Sequence, residues 1–144
     1  MAPCRFHLTG AGGGRTIGGM ELLAAAGRAV EDAEVDHFTG AATMQRFLGS
    51  GPDAAGRVYR VAFEPGAGTN WHTHSDVQIL YVVEGRCAIQ SWGGAVQVAK
   101  AGDVVRFDPG EKHWHGATAD GPMTHIAINL GESTEWLEPV ASTA

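Results

Sequence analysis

The chain has 144 residues and a mass of 15.1 kDa, with 44% apolar and 18% charged residues, 21 glycines, and a formal net charge of -6 at a pI near 5.5. That length buries one core but hardly two, so a single main domain is expected. The acidic balance and the lack of a Lys/Arg cluster exclude a phosphate-binding face, and with it nucleic acid and anionic membrane surfaces as partners.

Residues 1–19 include Gly12-Gly13-Gly14 and Gly18-Gly19 and read as a flexible arm, because regular structure there must overcome a large backbone entropy. The run lacks a preceding strand and a following Gly-Lys-Ser/Thr, so it does not read as a phosphate-cradling loop. Met1 to His7 lacks the basic-then-apolar layout of a signal peptide, no apolar run is long enough to span a bilayer, and a cytoplasmic location is expected. Cys4 and Cys87 make no disulfide framework and read as reduced. Residues 20–35, rich in Ala, Leu and Glu, predict an N-terminal helix with Gly27 as its weak point.

From Asp36 to the end, residues 36–144 predict an all-β barrel domain. Phe38 to Phe47, Arg57 to Phe63, Gln78 to Val83, Arg86 to Gln90, Val96 to Ala99, Asp103 to Phe107, Trp114 to Thr118 and Thr124 to Ile128 read as strands. Between them, Glu84-Gly85, Gly93-Gly94, Lys100-Ala101-Gly102, Asp108-Pro109-Gly110 and Asp120-Gly121-Pro122 supply turn chemistry at short intervals, as an antiparallel barrel or jelly roll requires.

The chemistry concentrates in Trp71-His72-Thr73-His74-Ser75-Asp76-Val77-Gln78 and Gly110-Glu111-Lys112-His113-Trp114-His115. Side chains an even number of residues apart share a strand face, so His72, His74 and Gln78 converge on one interior if Trp71 to Val83 is extended with a bend near Ser75-Asp76. His113 and His115 repeat that spacing after a Pro-Gly turn. Paired imidazoles with further donors suit a first-row divalent metal. Tyr59, Val61 and Phe63 alternate toward the same interior, and Asn129 is in step with His125, which predicts a small, mostly apolar pocket for a small-molecule substrate. Trp71 and Trp114 have the opposite parity and are expected to pack outward. Glu64 and Glu84 read as turn or solvated acids, and Asp76 as a group that either supports the ligands or faces water.

Two motifs frame these residues. Gly66, His72, His74, Gln78 and Gly85 follow the first motif of the cupin superfamily, with Gln78 in place of its Glu; Gly102, Pro109, Gly110 and His113 follow the second, with Asp108 and Ala117 departing from it. Over about residues 38 to 138 the chain resembles that superfamily. The resemblance implies a double-stranded β-helix, or jelly-roll barrel. Phe63-Glu64-Pro65-Gly66, Trp71-His72-Thr73-His74 and Pro109-Gly110-Glu111-Lys112-His113-Trp114-His115-Gly116-Ala117 are similar to small bacterial manganese-dependent cupins, including hydroxynitrile lyases. That likeness implies His72, His74, Gln78 and His113 as metal ligands, His115 and His125 as catalytic groups facing the substrate, and one divalent ion, manganese first, with iron, zinc, nickel or copper as alternatives. In the lyases, position 59 tends to be smaller and position 129 tends to be Gln, so the pocket here is reshaped.

Three neutral imidazoles and a neutral amide leave the ion's charge of +2 uncompensated, which favours Lewis-acid chemistry on an anionic oxygen or cyanide. The expected activity is therefore a metal-dependent lyase or isomerase step, with His115 or His125 moving the proton. The alternatives are a metal-dependent dioxygenase and a small-ligand-binding protein without turnover. A homodimer or higher homo-oligomer is expected.

Overall fold

The computed structural model describes residues 19–49 and 56–141, and the backbone of residues 7–8 and 14–17. Sixteen strands and no helix occur among the described residues, so none of them forms a helix long and apolar enough to cross a membrane. In chain order the strands are β1 (His7–Leu8), β2 (Gly14–Ile17), β3 (Met20–Leu23), β4 (Glu31–Asp32), β5 (Phe38–Thr39), β6 (Ala42–Leu48), β7 (Arg57–Phe63) and β8 (Gly68–Thr69). They continue with β9 (His72–His74), β10 (Gln78–Glu84), β11 (Arg86–Ser91), β12 (Gln97–Lys100), β13 (Val104–Phe107), β14 (His113–Ala117), β15 (Met123–Asn129) and β16 (Thr134–Trp136).

Two antiparallel sheets make the barrel. One has the order β13-β10-β15-β7-β6-β4; the other runs β12-β11-β14-β8-β5, with β9 paired to both β14 and β16. Alternation along the strands decides what fills the space between them. On β10, Gln78, Leu80 and Val82 are buried while Tyr81 and Val83 are exposed, and on β7 Val61 and Phe63 are buried. Cross-strand pairing carries these faces over, with Leu80 opposite Ala127 and Val61 opposite His125. Phe63, Val82, Cys87, Ala117 and Met123 close the deep end of this core. Burying such side chains stabilises the fold by roughly 1.5–3 kcal/mol each for the larger ones.

Backbone crowding at two glycines fixes the sheet edges. Gly85 joins β10 to β11 with φ of 77°, and a Cβ there meets Pro122 O at 2.1 Å. Gly116 on β14 lies against β8, where a Cβ meets Ala67 O at 2.5 Å and Gly68 Cα at 2.6 Å.

The N-terminal helix expected over residues 20–35 is not formed. Met20–Leu23 instead completes a three-stranded antiparallel sheet, β1-β2-β3. A turn follows in which the Arg28 amide donates to Ala25 O at 3.2 Å and Gly27 takes φ of 74°. β4 then pairs with β6, so the larger sheet begins at Glu31 rather than after Asp36. Helix propensity is a weak prior, and a short helix without a packed face is marginal in water; strand partners on β2 and β6 satisfy the backbone instead. The flexible arm expected over residues 1–19 lies largely outside the described residues, which there include only the backbone of β1 and β2 and Gly19.

Candidate metal centre

The site is built where β9, β10 and β14 meet. After β9 the chain bends at Ser75-Asp76, as the spacing requires. Ser75 Oγ accepts from the amides of Glu132 and Ser133 at 3.0 and 3.1 Å, and Asp76 Oδ1 accepts from the Val77 amide at 2.7 Å. Asp76 thus caps the bend in solvent and plays no part at the centre. The bend lets Gln78 open β10 facing the same interior as His72 and His74. Pairing of His113 with His72 across β14 and β9 brings the third imidazole in. All four side chains are buried, and the ligand atoms of His72, His74 and His113 lie within 4.8 Å of one another.

Hydrogen bonds aim each donor inward. His72 Nδ1 lies 2.8 Å from Asn70 O and His113 Nδ1 lies 2.8 Å from Glu111 O. Carbonyl oxygens only accept, so both rings carry their proton on Nδ1 and present a lone pair at Nε2. Thr134 Oγ1 holds His74 Nδ1 at 3.0 Å and leaves His74 Nε2 buried without a partner among the described residues. Gln78 Nε2 donates to Asn129 Oδ1 at 2.8 Å, which turns Gln78 Oε1 toward His113 Nε2 at 2.9 Å. Two acceptors therefore face each other across a buried gap. A cation between them relieves that repulsion and satisfies His74 Nε2 as well, so the residues fit a divalent ion with three nitrogen donors and one oxygen donor.

Burial keeps these imidazoles neutral, as ligands must be. His74 is pushed down to about 4 by burial and then by the nearby His113. His72 is driven well below its ordinary value by burial and by His113, and burial likewise lowers His113.

His115 and His125 lie beside this set, one layer deeper. His125 Nε2 and His115 Nδ1 share a hydrogen bond of 2.9 Å, and the outer nitrogens, His115 Nε2 and His125 Nδ1, have no partner among the described residues. Whichever ring donates, one end of the pair offers a lone pair and the other an N–H. Burial followed by His125 drives His115 well below its ordinary value, and burial takes His125 down to about 4. The His115 ring stands 5.2 Å from that of His72, while His125 packs on Phe63 at 5.2 Å.

A cavity of about 370 Å³ opens on the centre. His72, His74 and Gln78 form its floor, with Met44, Tyr59, Val61, Ala127 and Asn129 of the β15-β7-β6 sheet on one wall and Phe38 and Trp136 completing the lining. Three of the four expected pocket residues line it. Phe63 does not; it is buried behind the histidine pair, and His115 and His125 also stand behind the lining rather than in it. Trp136, tilted over His72 at 4.7 Å, belongs to the wall rather than to an outer layer of tryptophans, and so does His37, stacked on Trp136, which spacing did not single out. Their signal was weak, because β16 is three residues long and His37 sits in a turn. Trp71 packs edge-on against Trp92, and Trp114 donates outward to Gln90 Oε1 at 2.7 Å, both away from the cavity as parity requires. Glu84 is exposed and accepts from Thr124 Oγ1 at 3.1 Å.

Comparison with known proteins agrees with this geometry. The cupin-domain family model matches residues 59–129. The chain is 41% identical over 124 residues to an (R)-mandelonitrile lyase from Granulicella tundricola, an alignment covering 84% of this chain and 95% of that enzyme. Among solved structures, a cupin-like protein from Thermotoga maritima is similar with a TM-score of 0.74 and 38% identity, covering 80% of this chain and 89% of that one. A polyketide cyclase from Streptomyces resistomycificus, at 16% identity and a TM-score of 0.67 over 86% of this chain and 87% of its own, shares the fold. With the His72–His74 and His113 strands paired side by side in a two-sheet barrel and a relative of this identity over most of its length, the chain belongs to the cupin family.

Proposed function

We propose that the protein is a metal-dependent lyase that cleaves an α-hydroxynitrile into a carbonyl compound and hydrogen cyanide. The observation that carries this reading is the orientation of Gln78, whose amide nitrogen is tied to Asn129 so that its oxygen completes a wholly neutral donor set with His72, His74 and His113. A divalent ion so held, for which manganese is our first choice, supplies Lewis acidity to a hydroxyl or carbonyl oxygen. The likeness to an (R)-mandelonitrile lyase supports the same class of substrate.

The remaining work falls to side chains of this chain. Phe38, Met44, Tyr59, Val61 and Trp136 offer an apolar, aromatic wall against which a substituent such as a phenyl ring packs and from which water is displaced. The His115–His125 pair stores the hydroxyl proton: one outer nitrogen accepts it, the shared hydrogen bond shifts, and the pair remains ready to release a proton from its other end. Its burial favours the neutral, accepting form.

The test pairs metal content with turnover. Protein purified without added metal is analysed by mass spectrometry and assayed for benzaldehyde release from (R)-mandelonitrile, beside His74→Ala and His125→Ala. The reading expects a near-stoichiometric ion in the native protein, its loss in His74→Ala, and a retained ion with a fall in kcat of about 10²-fold or more in His125→Ala. A native protein with no ion and no benzaldehyde release refutes it, and oxygen uptake without cyanide release replaces it with the dioxygenase.

A further inference from the structure

We propose that His37, held by Glu34, is a further catalytic residue of this site, the group that exchanges a proton with cyanide on the cavity side. The inference rests on the lyase reading above and adds a second proton carrier to it.

Of the three histidines that line the cavity among the described residues, His72 and His74 belong to the donor set, and His37 is the remaining one. It ends the turn Glu34-Val35-Asp36-His37, in which its amide donates to Glu34 O at 3.0 Å. The same turn returns the Glu34 carboxylate to the ring, where Oε2 lies 3.0 Å from His37 Nδ1. A carboxylate only accepts, so a proton on Nδ1 suits this contact, and with Nδ1 protonated it is Nε2 that is left to give or take one. The ring plane is set by its stack on Trp136, with centroids 4.4 Å apart and planes within 6°. Trp136 in turn covers His72 at 4.7 Å, so one aromatic column runs from the ligand to this imidazole. Carboxylate-oriented imidazole, fixed plane and free nitrogen are the parts of a general acid–base group.

The other charged groups on the wall do not compete for the role. Arg28 donates to Leu23 O at 3.2 Å and lies over Phe47, Arg46 lies over the Tyr59 ring, and guanidinium does not release protons near neutrality. Glu31 and Asp32 are exposed carboxylates at the mouth. The His115–His125 pair stands behind the lining, with the His115 ring 5.2 Å from that of His72. Cleavage needs a proton taken from oxygen and another delivered to carbon, and the two imidazole systems divide these tasks.

In the cleavage direction the hydroxyl proton passes to the buried pair and the O–H electron pair forms the carbonyl. The C–C bond to the nitrile breaks, and cyanide leaves with its electron pair and takes the proton from Nε2 of protonated His37 as hydrogen cyanide. His37 then regains a proton from solvent while the buried pair releases one, which closes the balance. In the reverse direction neutral His37 Nε2 takes the proton from hydrogen cyanide.

Steady-state kinetics with (R)-mandelonitrile on the metal-loaded protein test this. His37→Phe keeps a ring on Trp136 and removes the nitrogen; Glu34→Gln, at an exposed side chain, removes only the orienting charge; His37→Ala leaves room for added imidazole. We expect kcat about 10²-fold lower in His37→Phe and about tenfold lower in Glu34→Gln, with KM changed less than about threefold, metal content unchanged, and partial recovery of His37→Ala by imidazole. A His37→Phe protein with kcat within about twofold of the native value overturns the proposal. A loss in His37→Ala that imidazole leaves unrestored also overturns it, since that marks a packing role. Native protein that releases no benzaldehyde at all defeats the lyase reading itself, and this proposal with it.

Discussion

Asn129 touches none of the three imidazole nitrogens, yet its replacement by Ala is expected to weaken metal binding. Its Oδ1 accepts the only hydrogen bond given by the Gln78 amide nitrogen among the described residues, at 2.8 Å, and so decides which end of that amide faces His113. Without it, Gln78 is 3% exposed with a buried NH₂ group unpaired, and the amide gains by turning that group elsewhere. An unsatisfied buried donor costs about 1–3 kcal/mol. At about 1.4 kcal/mol per tenfold, that corresponds to roughly 5- to 150-fold in affinity, a range that brackets the 10–100-fold typical of groups that orient metal ligands. Competition between the protein and a chelator of known affinity measures it. Asn129→Asp retains the accepting oxygen and is expected to hold metal at least as tightly as the native protein. If Asn129→Ala binds the ion with native affinity, the role assigned to Gln78 as an oriented oxygen donor is wrong.

The metal-free protein is expected to lose stability as pH falls from about 6.5 toward 4. His74 and His125 are both held down to about 4 when folded, so the unfolded chain binds more protons across that window; stability is full above it and levels off below it. The upper bound is about 3 kcal/mol for each ring, and urea unfolding of metal-free protein at several pH values checks it; a flat profile contradicts the burial argument. Gly116→Ala is expected to destabilise by about 1–3 kcal/mol, because the new methyl meets backbone of β8 that cannot rotate away, and a thermal melt reads the loss. The Cys87 thiol, pushed up to about 12 by burial, is expected to resist alkylation in the native protein and to react on unfolding, followed by mass spectrometry. A homodimer is expected from the exposed Tyr81, Val83 and Val104 on the outward face of β10 and β13, and light scattering at micromolar concentration tests it.

Much of the barrel was legible because strand burial alternates with a period of two. Arg57 to Phe63 forms β7 with the bounds that its alternation predicts, and Gln78 opens β10 after the anticipated bend. Parity also sorted Trp71 and Trp114 from the ligands. It failed at residues 20–35, where helix-forming composition outweighed any pattern, and where strand pairing with distant segments decides the outcome. It was silent on β16, whose three residues carry too little pattern to register.

The sequence by itself determined the donor chemistry, since His72, His74, Gln78 and His113 must share an interior once their segments are extended, and a period of two follows from local backbone geometry alone. Depth along that interior is a different matter. His115 and Phe63 have the parity of site residues, but the closure of β14 against β8 and the packing of β7 on β15 put them behind the floor of the cavity. Trp136 and His37 reach the wall only because β16 pairs with β9 and the turn before β5 folds over it. Which face a side chain takes is set within a few residues; how far it stands from the metal centre depends on pairings between segments distant in the chain, and only the tertiary structure decides those.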